Sequence, residues 1–275
     1  MGLNKENEIK LNSAIRLVTA ACATGQDTMG LFPTGSYGDD GFIFLSFMER
    51  FTFHLEGVKT LLGELNVKPF LDASIGVIIR VCLLDFMTIT YLTSYAFDNE
   101  ESRKAKKPDR QMQKQVEMLM CDQIHNTLRY LKSGMESKMI TRIEYEVAIR
   151  TTWTSYSKFF KDDKVDFSEP ENKLIHKEFV TPRKMFDRIN SHKAVKKFAL
   201  VYDLYNYYSK YEHIGVLSHA LQRLDADEQF LSILTGVKYS LKGLQAAMSW
   251  ADGLGGSLKK ELDRLSEIDD ELSAL

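Results

Sequence analysis

Ala73-Ser74-Ile75-Gly76-Val77-Ile78-Ile79-Arg80-Val81-Cys82-Leu83-Leu84-Asp85-Phe86-Met87-Thr88-Ile89-Thr90-Tyr91-Leu92 is the longest apolar run of the chain, and its reading decides the fold. Its length would suit a membrane span, which needs about 20 apolar residues. Arg80 and Asp85 stand near its middle, however, and each costs roughly 2.5–3.5 kcal/mol at a bilayer centre. No second apolar run is present to shelter them. The stretch therefore reads as the central buried helix of a soluble bundle. Five residues apart, Arg80 and Asp85 point in different directions, so each is expected to meet a partner on another helix. A buried structural ion pair is the default for such charges, and active-site lining is the alternative.

Working outward, the punctuation predicts further helices. One covers about Lys5 to Ala23, followed by a glycine-rich loop from Gly25 to Gly41. A second runs from about Phe42 to Asn66, and Pro69 opens the apolar helix, which ends near Asp98. A charged connector follows, and then a helix from Asp109 to Lys132 that stops at Gly134. Thr141-Arg142-Ile143-Glu144 fits a capping box, opening a helix to about Phe160. Lys161 to Val180 reads as a long loop, and Thr181-Pro182 as a helix start. A helix from Lys193 to His213 carries Phe198, Tyr202, Tyr205 and Ser209 at helical spacing. Asp225 to Glu228 resembles another capping box, opening a helix to Trp250, and an amphipathic helix from Ser257 to Leu272 closes the chain. Strand-type alternation is nearly absent. The fold class is all-α, a helical bundle of about eight or nine helices. It is read as a single domain over 1–275, with 1–66 as a candidate N-terminal subdomain and 257–275 as a candidate docking helix.

Composition narrows the function. The chain has 275 residues, 44% hydrophobic and 27% charged, with a net charge of -2. That near-neutral balance speaks against nucleic-acid binding by bulk charge alone. Cys22, Cys82 and Cys121 form no paired motif and read as free thiols, which places the chain in the cytoplasm. The polar start Leu3-Asn4-Lys5-Glu6-Asn7-Glu8 reads as no signal peptide. No membrane partner is expected.

Metal and cofactor chemistry finds little support. Asp162-Asp163-Lys164-Val165-Asp166 superficially matches the acidic motif of prenyl synthases, but the surrounding residues predict a solvated loop. Asp122-Gln123-Ile124-His125 is the nearest approach to a di-iron Glu-x-x-His pattern, and it is single. Zinc spacing is missing. The loop Gly30 to Gly38 lacks the lysine of a phosphate-cradling loop. No metal and no cofactor are expected.

Two features point toward RNA. Arg103, Lys104, Lys106, Lys107, Arg110 and Lys114 form the one dense basic patch, able to grip several phosphates. A solvated connector is its plainer reading. The second feature is Tyr205-Asn206-Tyr207-Tyr208-Ser209-Lys210-Tyr211-Glu212-His213-Ile214-Gly215. Residues four apart share a helical face, so Ser209 and His213 can share a site. His213 suits proton transfer near neutral pH. Ser209 can orient it, and Lys210 or Arg80 can steady charge on a phosphate. The plainer reading has His213 capping a helix terminus beside a packed tyrosine seam.

That phrase resembles the tyrosine-rich Ser-x-x-x-His signature of an uncharacterised prokaryotic all-helical family. Val77 to Phe86 is similar to the arginine-plus-acid helix that the same family carries upstream. More distantly, the arrangement from Ala73 to His219 is similar to HEPN domains, helical bundles of toxin, phage-defence and RNA-processing systems. Active HEPN ribonucleases place an arginine and then a histidine, with four to six residues between, at a helix end. Two protomers join their motifs and cut RNA without metal. The resemblance gives His213 the family histidine and puts Tyr208 where the arginine would stand. Arg188 and His192 are too close together for the pattern. It implies a HEPN-like cytoplasmic protein that binds or cleaves RNA in phage defence or stress response, as a homodimer. If the chain is an enzyme, the implied class is a metal-independent endoribonuclease. Its rival is a non-enzymatic interaction protein, antitoxin-like or a structural partner in a larger assembly. A third reading is a small-molecule enzyme whose pocket is lined by Arg80, Asp85 and the tyrosines.

Overall fold

The apolar run becomes a helix, Asp72–Ala96, buried on most of its circumference. The computed structural model describes residues 3–32, 38–68, 71–98, 110–209, 226–254 and 257–275. Within them the chain is all-α: nine α-helices, no strand, and one isolated bridge between Phe160 and Leu174. In chain order these are α1 (Lys5–Met29), α2 (Asp39–Glu64), α3 (Asp72–Ala96), α4 (Arg110–Glu136) and α5 (Arg142–Ser155). They continue with α6 (Pro182–Ser191), α7 (Leu200–Ser209), α8 (Ala226–Asp252) and α9 (Lys259–Ser273).

The described chain forms two units. The larger joins Met1–Asp109 to Pro182–Leu275, and the smaller is Arg110–Thr181. In the larger, α3 packs against α2, α6, α7 and α8. A helix surrounded in this way must be apolar nearly all round, which is why its sequence reads like a span. By length and mean hydropathy (1.9) it is apolar enough to cross a membrane, and 72% of that window is buried inside the protein. Contacts of Ile79 with Gly236, Phe86 with Tyr239 and Thr93 with Trp250 follow one another in the same direction, so α3 and α8 run parallel. Small residues let the helices close. A Cβ at Gly243 on α8 would fall 2.2 Å from Phe51 Cζ, and one at Gly236 would fall 2.4 Å from Ile79 Cγ2. The face of α9 carrying Leu265, Ile268 and Leu272 is buried, and α9 packs on α1 and α8.

Several boundaries differ from the sequence reading. Gly25 is no loop residue: α1 runs six residues past Ala23, and Gly25 sits buried within it, where a Cβ would meet Thr52 Oγ1 at 2.3 Å. Gly134 lies inside α4. The helix ends in a Schellman turn, with Met139 N–H donating to Gly134 O (2.8 Å) and Lys138 N–H to Met135 O (3.1 Å). The left-handed position is Lys138, at φ 60°. The helix expected over Lys193 to His213 is broken by a 3-10 turn at Lys196–Phe198 before α7 begins.

In the smaller unit the capping box at Thr141 forms as read, with the Thr141 hydroxyl accepting from Glu144 N–H and Glu144 accepting from Thr141 N–H. The 161–180 segment is pinned by side chains of α5. Trp153 stacks on Phe160 with centroids 3.9 Å apart and donates to Asp162 O at 3.1 Å. Tyr145 donates to Phe167 O at 3.0 Å.

Candidate functional site

Arg80 and Asp85 part company on α3. Asp85 is 4% exposed and accepts from Arg50 Nε on α2 at 3.0 Å. Burial pushes its carboxyl up to about 6, although Arg50 opposes that rise. This is the ion pair expected of a charge in an apolar helix.

Arg80 faces α7 instead. Its Nη2 donates to the Tyr205 hydroxyl at 3.2 Å, and its guanidinium carbon lies 5.1 Å from the Tyr205 ring centre. Tyr205 is one helical turn before Ser209, so Arg80 is brought to the helix that ends at Ser209. A row of rings continues from there. Tyr205 and Tyr202 have centroids 6.5 Å apart, and Tyr202 stacks on Phe186 of α6 at 4.6 Å. Arg183 lies 5.2 Å over Phe186 at the far end. Four ring contacts thus run from one guanidinium to another, across three helices. Phe186, Tyr202, Tyr205 and Arg80 are all partly exposed, while Arg183 is exposed. Guanidinium groups over aromatic faces are favourable in themselves. A half-exposed row of this kind also offers charge and stacking surface to a nucleic acid.

Ser209 is half-buried at the end of α7, its hydroxyl donating to Asn206 O at 2.7 Å. Its oxygen keeps acceptor capacity. His213 and Lys210 lie outside the described residues, as do Arg103, Lys104, Lys106 and Lys107. Of the basic patch, Arg110 and Lys114 are described, both exposed in the first turns of α4.

Arg188 and His192, too close together for the family pattern, form a further charged cluster with Ser94 and Asp98. Arg188 Nε donates to Ser94 Oγ at 2.9 Å and Nη2 to Ser94 O at 3.2 Å. Nη2 also pairs with Asp98 Oδ2, while His192 Nε2 lies 3.1 Å from Asp98 Oδ1. Burial alone would raise the Asp98 carboxyl, but Arg188 and His192 together hold it below the usual carboxylate range. His192 Nδ1 is buried without a hydrogen-bond partner among the described residues. With one nitrogen on Asp98 and the other turned inward, His192 has no face for a substrate. The cluster ties the end of α3 to the end of α6. Only its tertiary partner, Asp98, would have revealed this, and no spacing in the sequence points to it.

The chain matches no family model, no curated protein and no solved structure.

The remaining motifs have plain roles. Asp166 Oδ1 accepts from Ser168 N, Ser168 Oγ and Glu169 N, and Asp162 pairs with Lys173 at 3.0 Å, so the acidic run builds a surface turn. Cys22, Cys82 and Cys121 are free and buried, and burial pushes the Cys22 and Cys82 thiols up to about 12. Among the described residues no group of three or more His, Cys, Asp or Glu is placed to hold a metal.

Proposed function

We propose that this chain is a cytoplasmic HEPN-like protein that binds or cleaves RNA in phage defence or stress response, any cleavage being metal-independent. The observation that carries the reading is the contact of Arg80 with Tyr205, which brings the upstream arginine to the helix that ends at Ser209, one residue before Lys210 and four before His213 in the sequence. The aromatic row capped by Arg80 and Arg183 supports it, because single-stranded RNA is held by ring stacking and cations. Arg103, Lys104, Lys106, Lys107 and Arg110 add phosphate contacts in this account.

In the chemistry, His213 takes the proton of a ribose 2′-hydroxyl, or gives one to the departing 5′-oxygen. The 2′-oxygen bonds to phosphorus, the 5′-oxygen leaves, and a 2′,3′-cyclic phosphate remains. Ser209 positions His213, and Arg80 or Lys210 offsets charge on the phosphate. A homodimer supplies two such motifs face to face. Binding is tested by mobility shift with single-stranded RNA, comparing the protein with Arg80→Met. Weaker binding and a shallower salt dependence in the variant are expected. Equal affinity would contradict the role of Arg80.

One observation favours the non-enzymatic reading. In the smaller unit Tyr130, Met139, Ile143 and Val147 are 73%, 77%, 76% and 58% exposed. Ile143 and Val147 share a face of α5, and such apolar surface suits an antitoxin-like partner or a place in an assembly. Loss of a co-purifying protein on Ile143→Asp would favour that reading.

A further inference from the structure

Away from the Arg80 row, α3, α8, α9 and the 194–198 segment enclose a cleft of about 1030 Å³. Its residues fall into an apolar body and a cationic edge. Phe86 forms the base, meeting Phe198 edge-on at 5.3 Å and Tyr239 at 5.8 Å. Thr90, Gln245 and Ser249 add hydroxyl and amide groups on the walls.

The edge carries Lys197, Lys238 and Lys242 against one lining carboxylate, Asp263. Lys238 and Lys242 are four residues apart on α8 and so project side by side. Lys242 is paired with Asp269 of α9. Lys238 is only partly exposed and makes no hydrogen bond or ion pair with any described residue. Burial weakens its hold on its proton; Asp269 counters this, while Lys242 and Lys10 add to it. Lys197 is exposed, with its ammonium 5.0 Å from the Phe198 ring centre and no carboxylate partner among the described residues. Lys238, half-buried, and Lys197, exposed beside the Phe198 ring, thus form no ion pair among the described residues, and the cleft has the size of a small-molecule site.

We propose that this cleft binds a ring-bearing phosphate monoester, the class of the nucleoside monophosphates, with its phosphate on Lys238 and Lys197 and its ring against Phe198 and Tyr239. The site shares no residue with the Arg80 row and stands whether or not the chain acts on RNA.

The test is calorimetric titration of the full chain with AMP, adenosine and inorganic phosphate. AMP should bind saturably, and adenosine and phosphate at least about tenfold more weakly, since each lacks half of the recognition. Lys238→Gln should weaken AMP by about tenfold, the usual effect of losing a charge-assisted hydrogen bond. Lys197→Gln, on an exposed side chain that folding does not need, should weaken it in the same direction. Absence of AMP binding would overturn the proposal, as would affinities unchanged in both variants or phosphate binding as tightly as AMP.

Discussion

The Arg80 guanidinium lies over the Tyr205 ring at 5.1 Å and donates to its hydroxyl at 3.2 Å, joining α3 to α7. Asp85, on the same helix, is taken by Arg50 from α2. The two charges in the middle of the most apolar helix thus serve separate interfaces. The Asp85 pair is almost wholly sequestered on the carboxylate side, at 6% exposure. Arg80 instead is partly exposed, at the end of a partly exposed aromatic row.

Asp85 makes stability depend on pH in a defined direction. Its carboxyl is pushed up to about 6 in the folded chain, against about 3.9 when unfolded. Between these values the folded state holds a proton that the unfolded chain releases, so this stability is full below about pH 4 and is lost as pH rises through about 6. The contribution is at most about 3 kcal/mol. Urea unfolding at pH 4.5 and 7.5 should show wild type losing more stability with rising pH than Asp85→Asn. Identical pH dependence in both would contradict this.

Gly243 is required by contact with Phe51. An added methyl would overlap a ring that is 0% exposed and cannot swing into solvent. Gly243→Ala should cost about 1–3 kcal/mol in chemical denaturation. Combining it with Phe51→Leu should cost less than the sum of the single changes, since both act on one contact.

Lys138 holds a left-handed conformation at φ 60°. That costs a non-glycine residue roughly 1–2 kcal/mol, while glycine there would lose about 0.5–1 kcal/mol more chain entropy. Strain relief wins, so Lys138→Gly should stabilise the smaller unit by about 0.5 kcal/mol. Hydrogen exchange of α4 and α5 amides would read this directly, and faster exchange would contradict it.

Arg188 is a clamp. Arg188→Ala removes the guanidinium from Ser94 O and leaves Asp98 with His192 alone, at a cost of about 1–3 kcal/mol. In RNA-binding assays His192→Ala should behave as wild type at temperatures where it is folded. A specific loss of RNA affinity in His192→Ala would move the site to this cluster.

The all-helical class was legible because the 3.6-residue apolar period and the cap signals act locally. The Thr141 capping box and Pro182 as a helix start needed nothing beyond their neighbours. Glycine misled for the same reason. Gly25 and Gly134 look like helix ends, yet Gly25 is there for the close approach of Thr52, a tertiary cause, and the turn after Gly134 uses Lys138. At the site, the divergence of Arg80 and Asp85 follows from their spacing. Their partners, Tyr205 and Arg50, are 125 and 35 residues away and carry no local signal. Lys238 and Lys242 are legible as a pair four residues apart on α8, but Lys197 joins them only through the fold.

The most direct measurement is an RNA cleavage assay in excess EDTA, comparing the protein with His213→Ala and reading product ends by mass spectrometry. Products should carry 2′,3′-cyclic phosphate ends that disappear in the variant. No cleavage at protein concentrations high enough to dimerise, or cleavage that persists in His213→Ala, would contradict the proposed cleavage.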